Sequence, residues 1–387
     1  MPIQKNSEIY NMILLSGPNI SGNEWKYVKD CLDTQWVSSV GSYVNKFEQM
    51  VAEFAGCKFG VAASNGTSAL HISLELLGVK RNDYVIVPNV TFVASLNSIK
   101  YTKADPILMD IDPETWQMDL NLLEEFLEKD TYIKGNYLFL KKNNRRIPAI
   151  MPVHVLGNMC DMDKLTGIAQ KYKLQVVEDA TEALGSYYKN KHAGSFGILG
   201  CFSFNGNKII TTGGGGVIVT NDENLAKRAK HLTTQAKCDP FEYIHDQIGY
   251  NYRLVNVLAA MGVAQMEQLP DFIKRKHEID AFYKNTLSGT GDISFQKVVP
   301  EVNPNYWLFT FKTKKQKELL KILNEKNMQS RPFWVPMNQL KMFKKSLYIN
   351  RADVSDEVYS SCLSIPCSTN ITDHELESIT DTIKSCF

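Results

Sequence analysis

One lysine of this chain stands where solubility does not explain it. Lys208 lies in the run GCFSFNGNKIITTGGGGVIVTND, Gly200 to Asp222, between an apolar segment ending at Phe204 and a β-branched segment, Val217 to Thr220. Asn205, Gly206 and Asn207 break the first segment and favour a turn just before it. Burial and neighbouring positive charge lower an amine's pKa, and an amine without its proton attacks carbonyl carbon. The glycines from Gly213 to Gly216 would let a flat, bulky group approach the backbone. A solvated turn lysine beside a glycine loop is the plainer account of the same residues.

Three other stretches offer complementary chemistry. SNGTS, Ser64 to Ser68, separates the apolar run FGVAA from a helical pattern, and free N–H groups at a helix start bind anions. A phosphate there gains about 0.3–2 kcal/mol from the helix dipole, although an ordinary N-cap fits too. LQVVE, Leu174 to Glu178, delivers Asp179 at its carboxyl end, where open parallel sheets hold ligands; an Asp there can also simply cap a helix. Phe92, at the corner in NVTF, could stack on a ring or pack in the core. Lys141, Lys142, Arg145 and Arg146 could touch a diphosphate, but a solvated polar insertion over Asp130 to Arg146 is the reading preferred here.

The elements that must position these residues alternate strand and helix. Apolar runs at Phe59–Ala63, Asp83–Pro88, Pro106–Asp110, Ile147–Val153 and Leu174–Glu178 alternate with helical patterns at Ala69–Leu77, Asn89–Lys100, Asp119–Lys129 and from Asp161. That rhythm predicts an α/β fold whose sheet is covered by helices on both faces. Ahead of it, Ser21–Asp33 reads as a helix with Ser21 and Glu24 in a capping box, and Val44–Phe54 as a second helix. A helix over Glu223–Leu232 and a long one from the break at Gly249–Asn256 to about Leu269 follow, with Pro270 offering a domain boundary. We expect a large domain over residues 1–250 and a smaller α+β domain over 251–387.

Composition narrows the class. The 387 residues, 44% hydrophobic, suffice for a large core. Lys and Arg number 43 against 42 Asp and Glu, which argues against a nucleic-acid binder. The 8 cysteines are scattered without a C-x-x-C pair, a pattern of reduced thiols rather than a zinc site. No signal peptide is read in MPIQKNSEIYNMILLSG and no membrane-length apolar run occurs, so a soluble cytoplasmic protein without a metal is expected.

A nucleophilic amine at Lys208, a strand-end carboxylate at Asp179, the Ser64–Ser68 anion site and Ser203 are together the parts that hold pyridoxal 5'-phosphate. The carboxylate would keep the pyridine nitrogen protonated, which makes the ring an electron sink. At about 4 Å and an effective dielectric near 20, that pairing contributes about 4 kcal/mol. At this point the chain resembles the sugar aminotransferases of the DegT/DnrJ/EryC1/StrS group, within the fold type I pyridoxal-phosphate enzymes. The resemblance runs through SGNEWKYVKDCLDTQWVSSVGSYVNKFE, SNGTSAL, NVTFVAS, MPVHVLGN, VEDATEALGS, FSFNGNKIITTGGGG, GYNYRLVN and RPFWVPM, in the family's order and spacing. SFNGNKIITTGGGG is most similar to the branch acting on UDP-linked 4-keto-6-deoxy amino sugars, on routes to legionaminic-acid-type bacterial glycans.

The resemblance implies a fold type I transferase with a mainly parallel sheet of the seven-stranded type. It makes Lys208 the covalent anchor of the cofactor and its proton shuttle, with Asp179 at the ring nitrogen. Gly66, Thr67, Ser68 and Ser203 would hold the phosphate, Phe92 would stack on the ring, and Glu182 would join the cofactor contacts. Asn251 of GYNYR would reach across from a second subunit, which implies a homodimer with shared sites. Ser39, His154, Arg331 and Trp334 are candidates for touching the sugar. The amino donor implied is L-glutamate and the acceptor a nucleotide-linked keto sugar. The chain departs from the family pattern at Glu182 (commonly Gln), Gly214 (commonly Glu), Asn205-Gly206-Asn207 (commonly His-Pro-Thr) and Asn338 (commonly His). A lysine at position 208 counts against the dehydratase relatives, which carry His there. A nucleotide-cofactor oxidoreductase is disfavoured because Ser64-Asn65-Gly66 is not G-x-G-x-x-G. A sugar 3-aminotransferase or a catalytically silent regulator on the same fold stays open.

Overall fold

The computed structural model describes residues 12–239 and 241–387. The absence of a leader, read partly from residues 1–11, therefore lies outside the described residues. The strands of the central sheet are β1 (Phe59–Ala63), β2 (Tyr84–Pro88), β3 (Asp105–Met109), β4 (Ala149–Ile150), β5 (Gln175–Asp179), β6 (Leu199–Ser203) and β7 (Gly216–Thr220). The C-terminal third adds β8 (Phe309–Lys312), β9 (Leu347–Ile349) and β10 (Cys362–Ile365). The large sheet has eight strands in the order β1-β7-β6-β5-β4-β2-β3-β9. Only β7 runs against the others, being antiparallel to both β1 and β6. The expected seven strands thus gain an eighth, because the short run LYI pairs parallel to β3.

Both faces of this sheet are dry, which is why its strands read as unbroken apolar runs. Val85, Val87, Leu108, Val177 and Ile218 join one core with Leu70, Ile72 and Leu96. Their chain neighbours Ile86, Ile107, Val176, Val217 and Val219 join a second core with Phe47, Val51, Leu123 and Val263. The first face is covered by α3 (Gly66–Leu76) and α4 (Ala94–Tyr101). The second is covered by α2 (Ser42–Phe54), α5 (Leu120–Asp130), α6 (Met162–Lys171) and part of α8 (Asn256–Leu287). Side-chain caps fix the starts of α3, α5 and α6: Asn65 accepts from Ser68, Asp119 from Asn121 and Leu122, and Asp161 from Lys164.

Several local expectations change. Helix α1 spans Glu24–Asp33, so Ser21 is not its cap; the Ser21 hydroxyl donates to Gln268 instead. Glu24 accepts the Gly22 N–H and the side-chain amides of Gln265 and Gln268, which ties α1 to α8. The insertion after α5 is no loop but a three-stranded sheet, Thr131–Lys134, Tyr137–Leu140 and Arg146–Ile147. Within it Arg145 pairs with Asp105 and Arg146 with Asp83, so these cations are committed to the fold. Pro270 sits inside the continuous 32-residue α8 and marks no break. An interior proline costs a helix about 3 kcal/mol. Here Leu269, Phe272, Ile279 and Tyr283 are all buried around it, and that packing outweighs the lost bond. The N-terminal residues lie against the C-terminal ones, with Leu15 O accepting the Cys367 N–H and Ser368 accepting the Gly17 N–H.

One buried ion pair ties the layers together beside the carboxyl end of β1. Glu48 of α2 accepts from Arg253 and from the Ala62 N–H, and both charged side chains are under one-tenth exposed. Arg253 also donates to Ala62 O, while Tyr252 O accepts the Ser64 N–H at 2.7 Å. The pair therefore holds the stretch that leads into α3. Removing one member of such a pair leaves an uncompensated buried charge, a loss of about 3–5 kcal/mol. Glu48→Ala is expected to lower unfolding free energy by about 3 kcal/mol in urea titration, and Glu48→Gln by clearly less; equal midpoints for wild type and Glu48→Ala would remove this tie from the account.

Candidate active site

The carboxyl ends of β1, β2, β5 and β6 open into one cavity of about 310 Å³. Its wall takes residues from the start of α3, the β2–α4 corner, the segment after β5, the turn after β6, and Arg331 to Trp334 of the C-terminal third. Residues far apart in sequence thus meet at the place where parallel sheets leave their strand-end dipoles and loops free.

Lys208 projects into this cavity from the turn after β6, its N–H donating to Asn205 O at 3.0 Å. Its Nζ lies 3.9 Å from Glu182 Oε1 and 4.0 Å from the centroid of the Trp307 ring. Trp307 is fixed at both ends: its indole N–H donates to Asn207 O at 2.6 Å, and its carbonyl accepts from the buried Lys276 Nζ at 2.7 Å. Lys276 also donates to Cys367 O at 2.6 Å. Burial pushes the Lys208 amine below its usual pKa, opposed by the carboxylates of Glu182 and Asp179. Burial likewise pushes the Glu182 carboxyl up, opposed first by the Lys208 charge.

Asp179 lies just behind the wall, 2% exposed, at the end of β5. Ser95 Oγ donates to its Oδ2 at 2.6 Å and the Thr181 N–H to its Oδ1 at 3.2 Å. At the start of α3 the Asn65 side chain accepts the Ser68 N–H at 2.8 Å, and the Ser68 hydroxyl turns to Ser64. The Ser68 N–H thus serves the cap, and its side chain is off the wall. The N–H groups of Gly66 and Thr67 keep no partner among the described residues, and both residues line the cavity. A Cβ on Gly66 would come 2.8 Å from Ser203 Cβ, so only glycine lets the helix start lie this close to β6.

The structure also gathers Phe92, Glu182, Ser203, Arg331 and Trp334 on the wall. Phe92 is 55% exposed, an apolar ring left open to a ligand. His154 is placed otherwise: it is fully buried, its Nε2 is bonded to Glu178 at 2.9 Å, and it does not line the cavity. Ser39 and the exposed Asn251 also lie off the wall of this chain. Asn338 forms a reciprocal pair with Asn89 at 2.9 and 3.0 Å, again away from the cavity. Sequence reasoning gave no role to Thr181, Leu156, Trp307 or Lys276. Leu156 lines the wall with φ +60°, a left-handed conformation that aims its N–H at Glu182 Oε2, 2.8 Å away. Nothing in its residue type announces that. The neighbouring Gly157, at φ +82°, carries the visible signal, since a Cβ there would strike the Asn305 side chain.

Pyridoxal 5'-phosphate fits these residues. Two unpartnered helix N–H groups and the Ser203 hydroxyl suit its phosphate, an open phenylalanine its ring, a buried carboxylate its pyridinium nitrogen, and a buried amine its aldehyde. Fold and site together define a pyridoxal-phosphate-dependent enzyme. The model of the DegT/DnrJ/EryC1/StrS aminotransferase family matches residues 18–384, and the chain belongs to that family. GDP-perosamine synthase of Escherichia coli O157:H7 is 37% identical over 373 residues, covering 96% of this chain and 97% of that one. UDP-4-amino-4,6-dideoxy-N-acetyl-beta-L-altrosamine transaminase of Campylobacter jejuni is 31% identical over 382 residues, covering 97% of each. Among solved structures, Helicobacter pylori PseC, an aminotransferase involved in the biosynthesis of pseudoaminic acid, superposes with a TM-score of 0.87. It is 23% identical, covers 97% of this chain and 99% of that one, and shows the shared fold. The chain is thus a sugar aminotransferase that uses pyridoxal phosphate.

The closeness of Gly66 to Ser203 is testable. Gly66→Ala must separate the helix start from β6, an overpacking loss of about 1–3 kcal/mol. The expected result is cofactor affinity weakened about tenfold or more in an absorbance titration of the cofactor-free chain; unchanged affinity would show that this helix start holds no phosphate.

Proposed function

We propose that the chain transfers the amino group of L-glutamate to carbon 4 of a UDP-linked 4-keto-6-deoxy sugar. In this reading it acts in the cytoplasm on a route to a bacterial surface polysaccharide such as lipopolysaccharide. The observation that carries it is the placement of Lys208 Nζ, in one cavity with the free N–H groups of Gly66 and Thr67, and within the field of Asp179. Gly66, Thr67 and Ser203 would hold the cofactor phosphate, Phe92 would cover the ring, and Asp179 would meet its nitrogen. Bound pyridoxal 5'-phosphate supplies an aldehyde for the travelling amine and a ring that withdraws electrons from the carbon losing its proton.

The chain's own residues do the rest. Lys208 Nζ, its proton affinity lowered by burial, removes the proton from the α-carbon of the donor and later delivers one to carbon 4 of the sugar. The Trp307 ring and the Glu182 carboxylate limit where that amine can swing. Arg331 is exposed at the mouth, with Ser330 O and the Asn324 side chain as partners, so its guanidinium can still meet a carboxylate or diphosphate. Trp334, stacked near Trp307, offers a flat face to the sugar or base.

Asn251 and Ser39 contribute in this reading from a second copy, in a homodimer with shared sites. A GDP-linked acceptor is the second reading, favoured by the 37% identity to a GDP-perosamine synthase.

Purified chain with cofactor and L-glutamate, offered UDP- and GDP-linked 4-keto-6-deoxy sugars and a 3-keto sugar, is read by mass spectrometry. Amination of the UDP-linked 4-keto sugar, formation of 2-oxoglutarate and a loss of about a thousandfold or more in Lys208→Ala are expected. Turnover of the GDP-linked sugar alone selects the second reading, and no amination of any acceptor overturns both.

A further inference from the structure

We propose that Glu182 is the acid–base partner of Lys208, taking up the ammonium proton so that a neutral amine faces the cavity. The inference rests on the reading of Lys208 as the working amine. Geometry singles Glu182 out from the two carboxylates that Lys208 feels. Asp179 has both oxygens engaged, one by Ser95 Oγ and one by the Thr181 N–H, and neither is turned to the amine within 4 Å. Glu182 has one oxygen engaged, by the Leu156 N–H, and turns the other to Lys208 Nζ at 3.9 Å.

The surroundings keep that oxygen where it is. The Glu182 carbonyl accepts from the Asn305 side-chain amide at 2.9 Å, which pins the backbone. Leu156 adopts φ +60° to present its N–H, an uncommon conformation for a leucine. On the other side of the amine the Trp307 face, 4.0 Å away, keeps the cation from swinging off. The charged groups facing Glu182 are Lys208 from the turn after β6 and Asp179 from the end of β5; the turn at Val155–Gly157 offers a backbone N–H.

Closing the 3.9 Å gap by roughly 1 Å, through rotation of the lysine's terminal bonds, brings the pair to hydrogen-bond distance. The Lys208 N–H bond then breaks and an O–H bond forms at Glu182 Oε1. An ion pair becomes a neutral pair, the reverse transfer restores it, and no other reactant is consumed. Burial supports the exchange by raising the acid's proton affinity and lowering the amine's, so the two titrate as a pair. An amide at this position could keep the Leu156 bond but could hold no proton.

The test reads Lys208 itself, without turnover. In the cofactor-free, full-length chain, reductive methylation at Lys208 is followed by peptide mass spectrometry across pH, in wild type, Glu182→Gln and Glu182→Asp. With one proton shared by the pair, wild-type Lys208 becomes reactive in two steps, and the infrared band of the protonated carboxyl is lost over the upper one. Glu182→Gln gives a single step about one pH unit or more below that upper one, and Glu182→Asp keeps two. The reciprocal reading uses Lys208→Ala, in which that band should be lost in a single step below the upper one of wild type. Coincident profiles in wild type and Glu182→Gln overturn the proposal, as does an unchanged band profile in Lys208→Ala if Glu182→Gln does not fold. A shifted midpoint in a chain that aminates no sugar keeps this inference and sinks the functional reading. Amination without any shift does the opposite.

Discussion

A buried amine held against two buried carboxylates is the constraint on which the rest of this structure depends. Lys208, Glu182 and Asp179 sit in surroundings where opposite charges at 4 Å interact by about 4 kcal/mol at an effective dielectric near 20, and where unpaired charge is costly. Fully ionised, the three carry an excess negative charge. Such a site favours a ligand that brings positive charge to Asp179, and it favours proton sharing between Glu182 and Lys208 when no such ligand is there. The fold must bring all three into one another's field, and it does so from two neighbouring strand ends. β5 delivers Asp179 and then Glu182, and β6, parallel to it, delivers the turn with Lys208.

The remaining side of the amine is built from the C-terminal third. Trp307 reaches Lys208 because Lys276 of α8, wholly buried, donates to the carbonyls of Trp307 and Cys367. The Cys367 N–H in turn donates to Leu15 O. N-terminal segment, long helix and C-terminal strand therefore close on one ammonium group placed behind the site. A buried lysine with carbonyl acceptors is satisfied without a counter-ion, so it adds rigidity there without adding a third carboxylate to the cavity's field.

What the sequence made legible was whatever rests on local patterning. Apolar runs gave most strands nearly to the residue, as with FGVAA at Phe59–Ala63, and β5 carries Asp179 at its end; the run Ile147–Val153 is the exception, yielding only the two-residue β4 of the large sheet. The SNGTS corner was readable as a helix start, since Asn, Ser and Gly satisfy or free the first N–H groups. What depends on distant partners was not legible. His154 is bonded to Glu178 in the core, a partnership that no local pattern announces. Pro270 looked like a stop, yet burial on both sides of it carries the helix through. Trp307 is one tryptophan among 5, and only tertiary packing sets it over Lys208.

The departures from the family pattern are distributed in a telling way. Glu182, Asn205, Asn207 and Gly214 all stand on the cavity wall, whereas Asn338 is bonded to Asn89 away from it. Gly214 is the sharpest case. Its neighbours need to be glycine: Gly213 has φ +78°, and a Cβ on Gly216 would lie 2.5 Å from Asn65 O. Gly214 has neither requirement, since its backbone is unstrained and a Cβ there would meet no heavy atom within 4 Å. Neither folding nor packing calls for the missing side chain. Its absence leaves room on the wall of the cavity at no cost to backbone or packing.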